Sequence, residues 1–330
     1  MTTLFDPIRV GDLELPSRII MAPLTRLRAI GGQRVPNALM AEYYVQRASA
    51  GMIITEATAV TPQGVGNADT PGIWTDEQLA GWMQVADAVF LRGKLPVVPS
   101  AIAAAGHVRL VRPERAYVTP RALEANEIAG VVAAYRHGAE NARRAGFDGM
   151  EVHGANGYLL DQFPQDSTNQ RTDADGGSIE NRARLLLEVT DACVAVWGAI
   201  VSAYTCRRAE TCIRWAIRTR AATFGYVARE PGKRGIAFIC SREALGDGRL
   251  GPALKAAFGG VFIANEKMNK QTAEQLLAAD EADAVAFGQM FIANPDLPRQ
   301  RQMNASLNEP RPETFYHAAA EGYTDYPALV

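Results

Sequence analysis

Short runs of apolar, largely β-branched residues alternate along this chain with longer stretches whose apolar positions recur at helical spacing. The runs at Ile19 to Met21, Met52 to Thr55, Met150 to Val152, Ile236 to Ile239, Val261 to Ala264 and Ala284 to Phe287 predict buried strands. The stretches at Asn37 to Ser49, Asp76 to Leu91, Glu124 to Arg144, Ser178 to Val196, Gly251 to Phe258 and Thr272 to Ala279 predict helices. A strand followed by a helix, repeated in this way, is the pattern of a parallel sheet with crossover helices. The fold class expected is α/β, a single (β/α)8 TIM barrel over residues 1–330, with six strands legible and the third and fifth in doubt. No internal repeat, low-complexity segment or Pro/Ser-rich linker divides it.

In such a barrel the chemistry sits at the carboxyl ends of the strands. There the first strand releases Pro23, Leu24 and Thr25, and the second releases Glu56, Ala57 and Thr58. The two late strands end in Ala264, Asn265 and Glu266 and in Phe287, Gly288 and Gln289, where the small residues let backbone N–H groups approach an anion. The strand Met150 to Val152 releases His153, Asn156 and Tyr158 within six residues. A ring nitrogen, an amide and a phenol leaving one strand end can converge on one substrate oxygen and its neighbouring carbon, which suits reduction of a polarised double bond. The long polar, Gly-rich loop that follows is of a kind that is usually functional or disordered.

Composition narrows the classes. With 48% hydrophobic and 21% charged residues the chain is globular, and a net charge of -2 gives no basic footprint for nucleic acid or an anionic membrane. The partner expected is a small molecule, and the protein a monomer or homodimer. No apolar run reaches membrane-spanning length and the first 20 residues do not form a signal peptide, so a cytoplasmic location is expected. Cys193, Cys206, Cys212 and Cys240 are too irregular for a disulfide framework, and the four histidines form no metal-ligand pair. Neither a G-x-G-x-x-G nor a Walker loop occurs, so a nucleotide would be held some other way. Glu56, Asp161 and Asp166 read as solvated loop groups or helix caps, with Asp161 and Asp166 expected to help order their own loop, and Arg182 and Asp325 read as structural.

Taken together, RIIMAPLTR (Arg18 to Arg26), ITEAT (Ile54 to Thr58), TPGIWTDEQ (Thr70 to Gln78), EVHGANGYLLDQF (Glu151 to Phe163), GGSIENR (Gly176 to Arg182), FIANPDL (Phe291 to Leu297) and EGYTDYP (Glu321 to Pro327) resemble the old yellow enzyme family. These are flavin-dependent ene-reductases, and the bacterial members that reduce nitrate esters, nitro compounds and enones are the most similar. The resemblance implies a flavoprotein oxidoreductase of the xenobiotic reductase type. It would bind FMN noncovalently at the barrel mouth and be reloaded by NADPH or NADH in the same pocket. It implies Pro23, Leu24, Thr25 and Ala57 along the isoalloxazine ring, His153 and Asn156 on the substrate oxygen, and Tyr158 as proton donor to the α-carbon. Hydride would pass from flavin N5 to the β-carbon. Ala264, Asn265, Phe287, Gly288 and Gln289 would serve the cofactor, with Tyr316 as an aromatic close to it or a plain surface tyrosine.

Three departures from the family pattern fall on the flavin site. The third strand, of the form QLWHxGR, is absent between Asp87 and Pro96, as though roughly 20 residues were excised from a barrel that needs eight strands to close. In place of the fifth strand stands IVSAYTCRRAETCIRWAIRTR (Ile200 to Arg220), with Arg207, Arg208, Arg214, Arg218 and Arg220 clustered in it. Read from Ala199 in a shifted codon frame, this segment can spell DRVGVHLSPRGDLHTMGDSDP, a good fifth strand for the family. Gln289 stands where the family commonly has a cation facing the FMN phosphate, which predicts weaker cofactor retention. Lys94 to Val98 and Ala199 to Tyr204 are the candidate substitute strands; otherwise the barrel stays open. Three readings result: an FMN-dependent reductase, a remnant with weak or no flavin binding, and a flavin-free barrel that would need Lys267 or paired carboxylates.

Overall fold

The computed structural model describes residues 2–90, 96–100, 121–199, 202–207 and 220–329. The chain opens with an antiparallel hairpin, β1 (Ile8–Val10) and β2 (Leu13–Leu15). It then alternates β3 (Ile19–Met21), α1 (Ala38–Gln46), β4 (Met52–Ile54), α2 (Asp76–Phe90), β5 (Pro96–Ser100), α3 (Ala125–Arg144) and β6 (Gly149–His153). A short α4 (Leu159–Gln162) precedes α5 (Ile179–Trp197), β7 (Ser202–Arg207), α6 (Arg220–Lys233), β8 (Phe238–Arg242), α7 (Gly251–Phe258), β9 (Val261–Asn265), α8 (Lys270–Ala278) and β10 (Ala284–Phe287). The short helices α9 (Gln289–Ala293) and α10 (Leu297–Gln302) follow. Strands β3 to β10 pair in parallel in chain order, and β10 returns to β3 to close the barrel.

The barrel is therefore not two strands short. Pro96–Ser100 takes the third place, pairing Ile53 with Pro96 on one side and Val97 with Gly149 on the other. Ser202–Arg207 takes the fifth, pairing Met150 with Ser202 and Ala203 with Phe238. Both substitute segments lie later in the chain than the expected Lys94 to Val98 and Ala199 to Tyr204. Pro96 and Pro99 lack the N–H that a strand donates, which is why the local sequence argues against a strand there. The neighbours β4 and β6 nonetheless present unpaired backbone groups that only an extended segment can satisfy. Lys94, Arg208, Arg214, Arg218 and Cys212 lie outside the described residues. The hairpin and α6 are elements the sequence pattern did not reveal, the hairpin because three-residue strands are too short to display a period.

Alternation along the strands divides the apolar residues into two cores. Ile20, Ala22, Met52, Ile54, Phe238, Cys240, Ile263, Ala284 and Ala286 fill the barrel interior, and Val10 and Leu15 of the hairpin plug its lower end. Ile19, Met21, Ile53, Val152, Ile239, Phe262, Ala264 and Val285 face outward onto the helices, against Tyr43, Trp82, Leu186 and Cys193. With the lower end plugged, the open end lies at the carboxyl termini of the strands.

Three buried arginines tie the C-terminal segment to that open end. Arg26 donates to the carbonyls of Phe315 and Gly322 and to the Tyr43 hydroxyl. Arg28 reaches the carbonyls of Thr314 and Phe315, and Arg47 those of Phe291, Ile292 and Tyr323. Tyr323 stacks on Tyr43 with ring centroids 4.0 Å apart, and the guanidiniums of Arg26 and Arg28 lie against the Tyr323 ring. Guanidiniums this deeply buried are tolerable because their N–H groups find carbonyl acceptors.

Candidate active site

A cavity of about 640 Å³ opens at the carboxyl ends of the strands, within the size range of small-molecule sites. Its lining comprises Ala22 to Thr25 after β3, Ala57 after β4, His153, Asn156 and Tyr158 after β6, and Cys240 and Arg242 of β8. Asn265 to Asn269 after β9, Ala286 to Met290 around the end of β10, and Phe315 and Tyr316 from the C-terminal segment complete it, with Ile292. Of the residues expected at the site, Pro23, Leu24, Thr25, Ala57, His153, Asn156, Tyr158, Asn265, Phe287, Gly288, Gln289 and Tyr316 meet in this one space. Ala264 does not. It faces outward into the core shared with the helices, because it neighbours Asn265 on a strand whose side chains alternate between faces.

His153 ends β6 and is 6% exposed. Its Nε2 lies 3.2 Å from Nδ2 of Asn156, and its ring meets that of Tyr158 edge-on at 5.4 Å. Asn156 has a φ of 62°, in the left-handed region that asparagine tolerates better than most residues. This backbone turn brings its side chain back over the strand end. Asp161 holds the turn by accepting the Gly157 N–H at 2.8 Å and the Gln165 side chain at 2.7 Å, so it orders its own loop as expected.

The long loop after Tyr158 is ordered and structural. Arg182 donates to the carbonyls of Pro164 and Gly177, and Asn169 to those of Phe163 and Asp175. Gly176 is packed so closely on the Arg171 carbonyl that a Cβ would fall 2.0 Å from its oxygen, which accounts for glycine there. No residue of this loop lines the cavity. Asp325 is structural too, pairing with Arg311 at 2.6 Å.

Glu56 departs from the expectation of a solvated carboxylate. It is fully buried, accepts the Arg26 N–H at 3.1 Å, and burial pushes its pKa up to about 7 although Arg26 and Arg28 oppose the shift. Sequence reasoning also missed Arg242 and Phe315, and it named Glu266 and Lys267 at a strand end without giving them a part in the flavin site. Arg242 occupies a strand end and was findable by position. Phe315 comes from a segment with no strand periodicity, placed by the buried arginines.

The residues present fit a flavin mononucleotide. Pro23, Leu24, Ala57, Phe287 and Ile292 offer an apolar shelf, and Thr25 and Asn265 supply polar groups beside it. At Gly288 a Cβ would come within 3.3 Å of Leu24, so the glycine keeps backbone accessible at that point. Lys267 brings a cation to the same lining, where Gln289 carries none.

A family model described as the NADH:flavin oxidoreductase / NADH oxidase family matches residues 3–238. A putative 12-oxophytodienoate reductase 2 of Oryza sativa subsp. japonica is 37% identical over 357 residues, covering 99% of this chain and 94% of its own. That alignment is longer than the chain's 330 residues, so the relative carries stretches with no counterpart here. The solved old yellow enzyme homologue from Zymomonas mobilis superposes with a TM-score of 0.95 at 37% identity, covering 99% of this chain and 100% of that one. Morphinone reductase in complex with tetrahydroNAD superposes with a TM-score of 0.93 at 40% identity, covering 100% and 98%.

Proposed function

Because the chain belongs to the NADH:flavin oxidoreductase / NADH oxidase family, we propose that it is an FMN-dependent reductase of activated alkenes. Its reductant is NADPH or NADH, and enones, nitro compounds and nitrate esters are its acceptors. The observation that carries this reading is the meeting of His153 Nε2 and Asn156 Nδ2, 3.2 Å apart on the wall of a cavity whose floor is an apolar shelf, two nitrogens that both donate when the imidazole proton sits on Nε2.

Pro23, Leu24, Thr25 and Ala57 would hold FMN on that shelf, and the flavin would supply the hydride. The work of the chain's own residues is positioning, charge stabilisation and proton delivery. A carbonyl or nitro oxygen accepts from the His153 ring and the Asn156 amide at once. As hydride arrives at the β-carbon, negative charge grows on that oxygen, and the two donors stabilise it where it forms. Loss of one such donor typically costs ~3 kcal/mol of barrier. The Tyr158 hydroxyl, beside the His153 ring, delivers the proton to the α-carbon. Phe315 and Tyr316 add aromatic rings to the lining.

Lys267 lines the cavity, but the carboxylate closest to it in sequence, Glu266, is held by Arg242 at 2.6 Å. A Schiff-base or paired-carboxylate mechanism has little support beside the flavin reading. No helix among the described residues is long and apolar enough to cross a membrane. A cytoplasmic protein, monomeric or dimeric, of the xenobiotic reductase type is the accompanying proposal. The test is direct: the purified full chain is expected to be yellow with stoichiometric FMN, to bleach with NADPH under anaerobic conditions, and to recolour with 2-cyclohexenone. A colourless protein that added FMN does not restore would favour the remnant reading, for which Gln289 and the proline-bearing third strand are the motive.

A further inference from the structure

Arg242, the last residue of β8, donates through Nη1 to Oδ1 of Asn156 at 2.8 Å. Its Nε and Nη2 both go to Oε2 of Glu266, at 3.1 and 2.6 Å. This chain of side chains runs from the end of β9 to the turn after β6, spanning the place of β7 between β6 and β8. All three residues line the same cavity. The chemistry of the link is directional. A guanidinium has N–H donors only, so the amide atom that faces it must be the oxygen. The amide nitrogen of Asn156 is thereby turned toward His153 Nε2, 3.2 Å away.

We propose that Arg242, clamped by Glu266, is a positioning residue that locks the Asn156 amide with its N–H, not its oxygen, facing the substrate oxygen. The inference rests on the reductase reading given above. With the lock in place, the Asn156 N–H lies within hydrogen-bond distance of His153 Nε2, and in the tautomer that carries the proton on Nε2 both nitrogens are donors that an incoming oxygen can accept from. Without it, the amide can rotate so that Oδ1 accepts from His153. The substrate oxygen would then meet an oxygen where it needs a donor.

The test replaces Arg242 in the FMN-loaded full chain, alone and together with Asn156→Ala, and follows 2-cyclohexenone reduction by NADPH. Arg242→Met is expected to lower kcat/KM about tenfold, the size of effect that follows loss of one charge-assisted hydrogen bond. In the Asn156→Ala background the same change is expected to cost less than about twofold, since the partner through which it acts is gone. Arg242→Lys, which keeps a donor, is expected to recover part of the loss. An equal loss with and without Asn156, or no loss at all, overturns the inference. A second readout does not need turnover: the side-chain amide resonances of Asn156 in the ligand-free protein are expected to shift or broaden in Arg242→Met with FMN content unchanged. If the wild-type chain binds FMN but fails to reduce the enone, the functional reading falls, and the amide resonances still decide whether Arg242 holds Asn156; unmoved resonances reject it.

Discussion

The Glu56 carboxylate accepts the main-chain N–H of Arg26 at 3.1 Å, joining the end of the second barrel strand to the loop that leaves the first. The residues on either side of this bond, Thr25 and Ala57, both line the cavity, so a buried carboxylate sets the spacing of two of its lining residues.

Burial raises the Glu56 pKa to about 7 from 4.5, so the folded chain holds this proton more tightly than the unfolded chain. The contribution is present in full below pH 4.5 and is lost as the pH climbs to about 7. Asp148, raised by burial to about 6 from 3.8, acts in the same direction. Urea unfolding across this window is expected to show a decline in stability that is shallower in Glu56→Gln than in the wild type. Parallel curves for the two proteins would remove Glu56 as the cause.

Truncating either side chain of the proposed oxygen-binding pair, as His153→Ala or Asn156→Ala, is expected to lower kcat/KM for an enone by about 10² to 10³ while FMN content stays constant. Steady-state kinetics with 2-cyclohexenone measures this, and activity within a factor of two of wild type in both variants would remove the pair from the mechanism.

Tyr158→Phe separates proton delivery from hydride transfer. Reduction of an enone is expected to fall about 10² to 10³-fold, whereas a nitro group, whose reduction protonates no carbon, is expected to change only a few-fold. Parallel losses on both acceptors would assign Tyr158 a role in binding instead.

Gln289 can offer a phosphate a neutral hydrogen bond but no charge. Gln289→Arg is expected to tighten FMN binding to the apoprotein by about tenfold at low salt, with the gain shrinking as salt rises. Flavin fluorescence quenching gives the two dissociation constants, and equal values would show that the residue does not face the phosphate.

Tyr323 is fully buried, stacked on Tyr43 and flanked by Arg26 and Arg28. Tyr323→Ala is expected to destabilise the chain by about 3–5 kcal/mol, since it opens a cavity and removes the ring against which the Arg28 guanidinium lies and one of the three rings around that of Arg26. Urea unfolding at neutral pH reads the change, and a loss under about 1 kcal/mol would mean that the C-terminal segment is held by its backbone alone.

Which residues reach the mouth was legible in the chain because the fold class carries a rule: side chains that follow an apolar strand in a parallel barrel emerge at one end. That rule placed Pro23, Thr25, Ala57, His153 and Gly288 together before any distance was known. It failed for Ala264, where one step along a strand reverses the face. Tertiary pairing alone decided the third and fifth strands. A segment with two prolines and another with no strand pattern are extended because backbone groups on both flanks have no other partner. Burial of Glu56 and the Arg242 lock on Asn156 were likewise invisible, since each depends on residues 30 and 86 positions apart. Local periodicity records which face of an element is apolar and so determined the architecture. Electrostatic environment and amide orientation depend on what lies across the cavity, and only the closed barrel brings those partners into range.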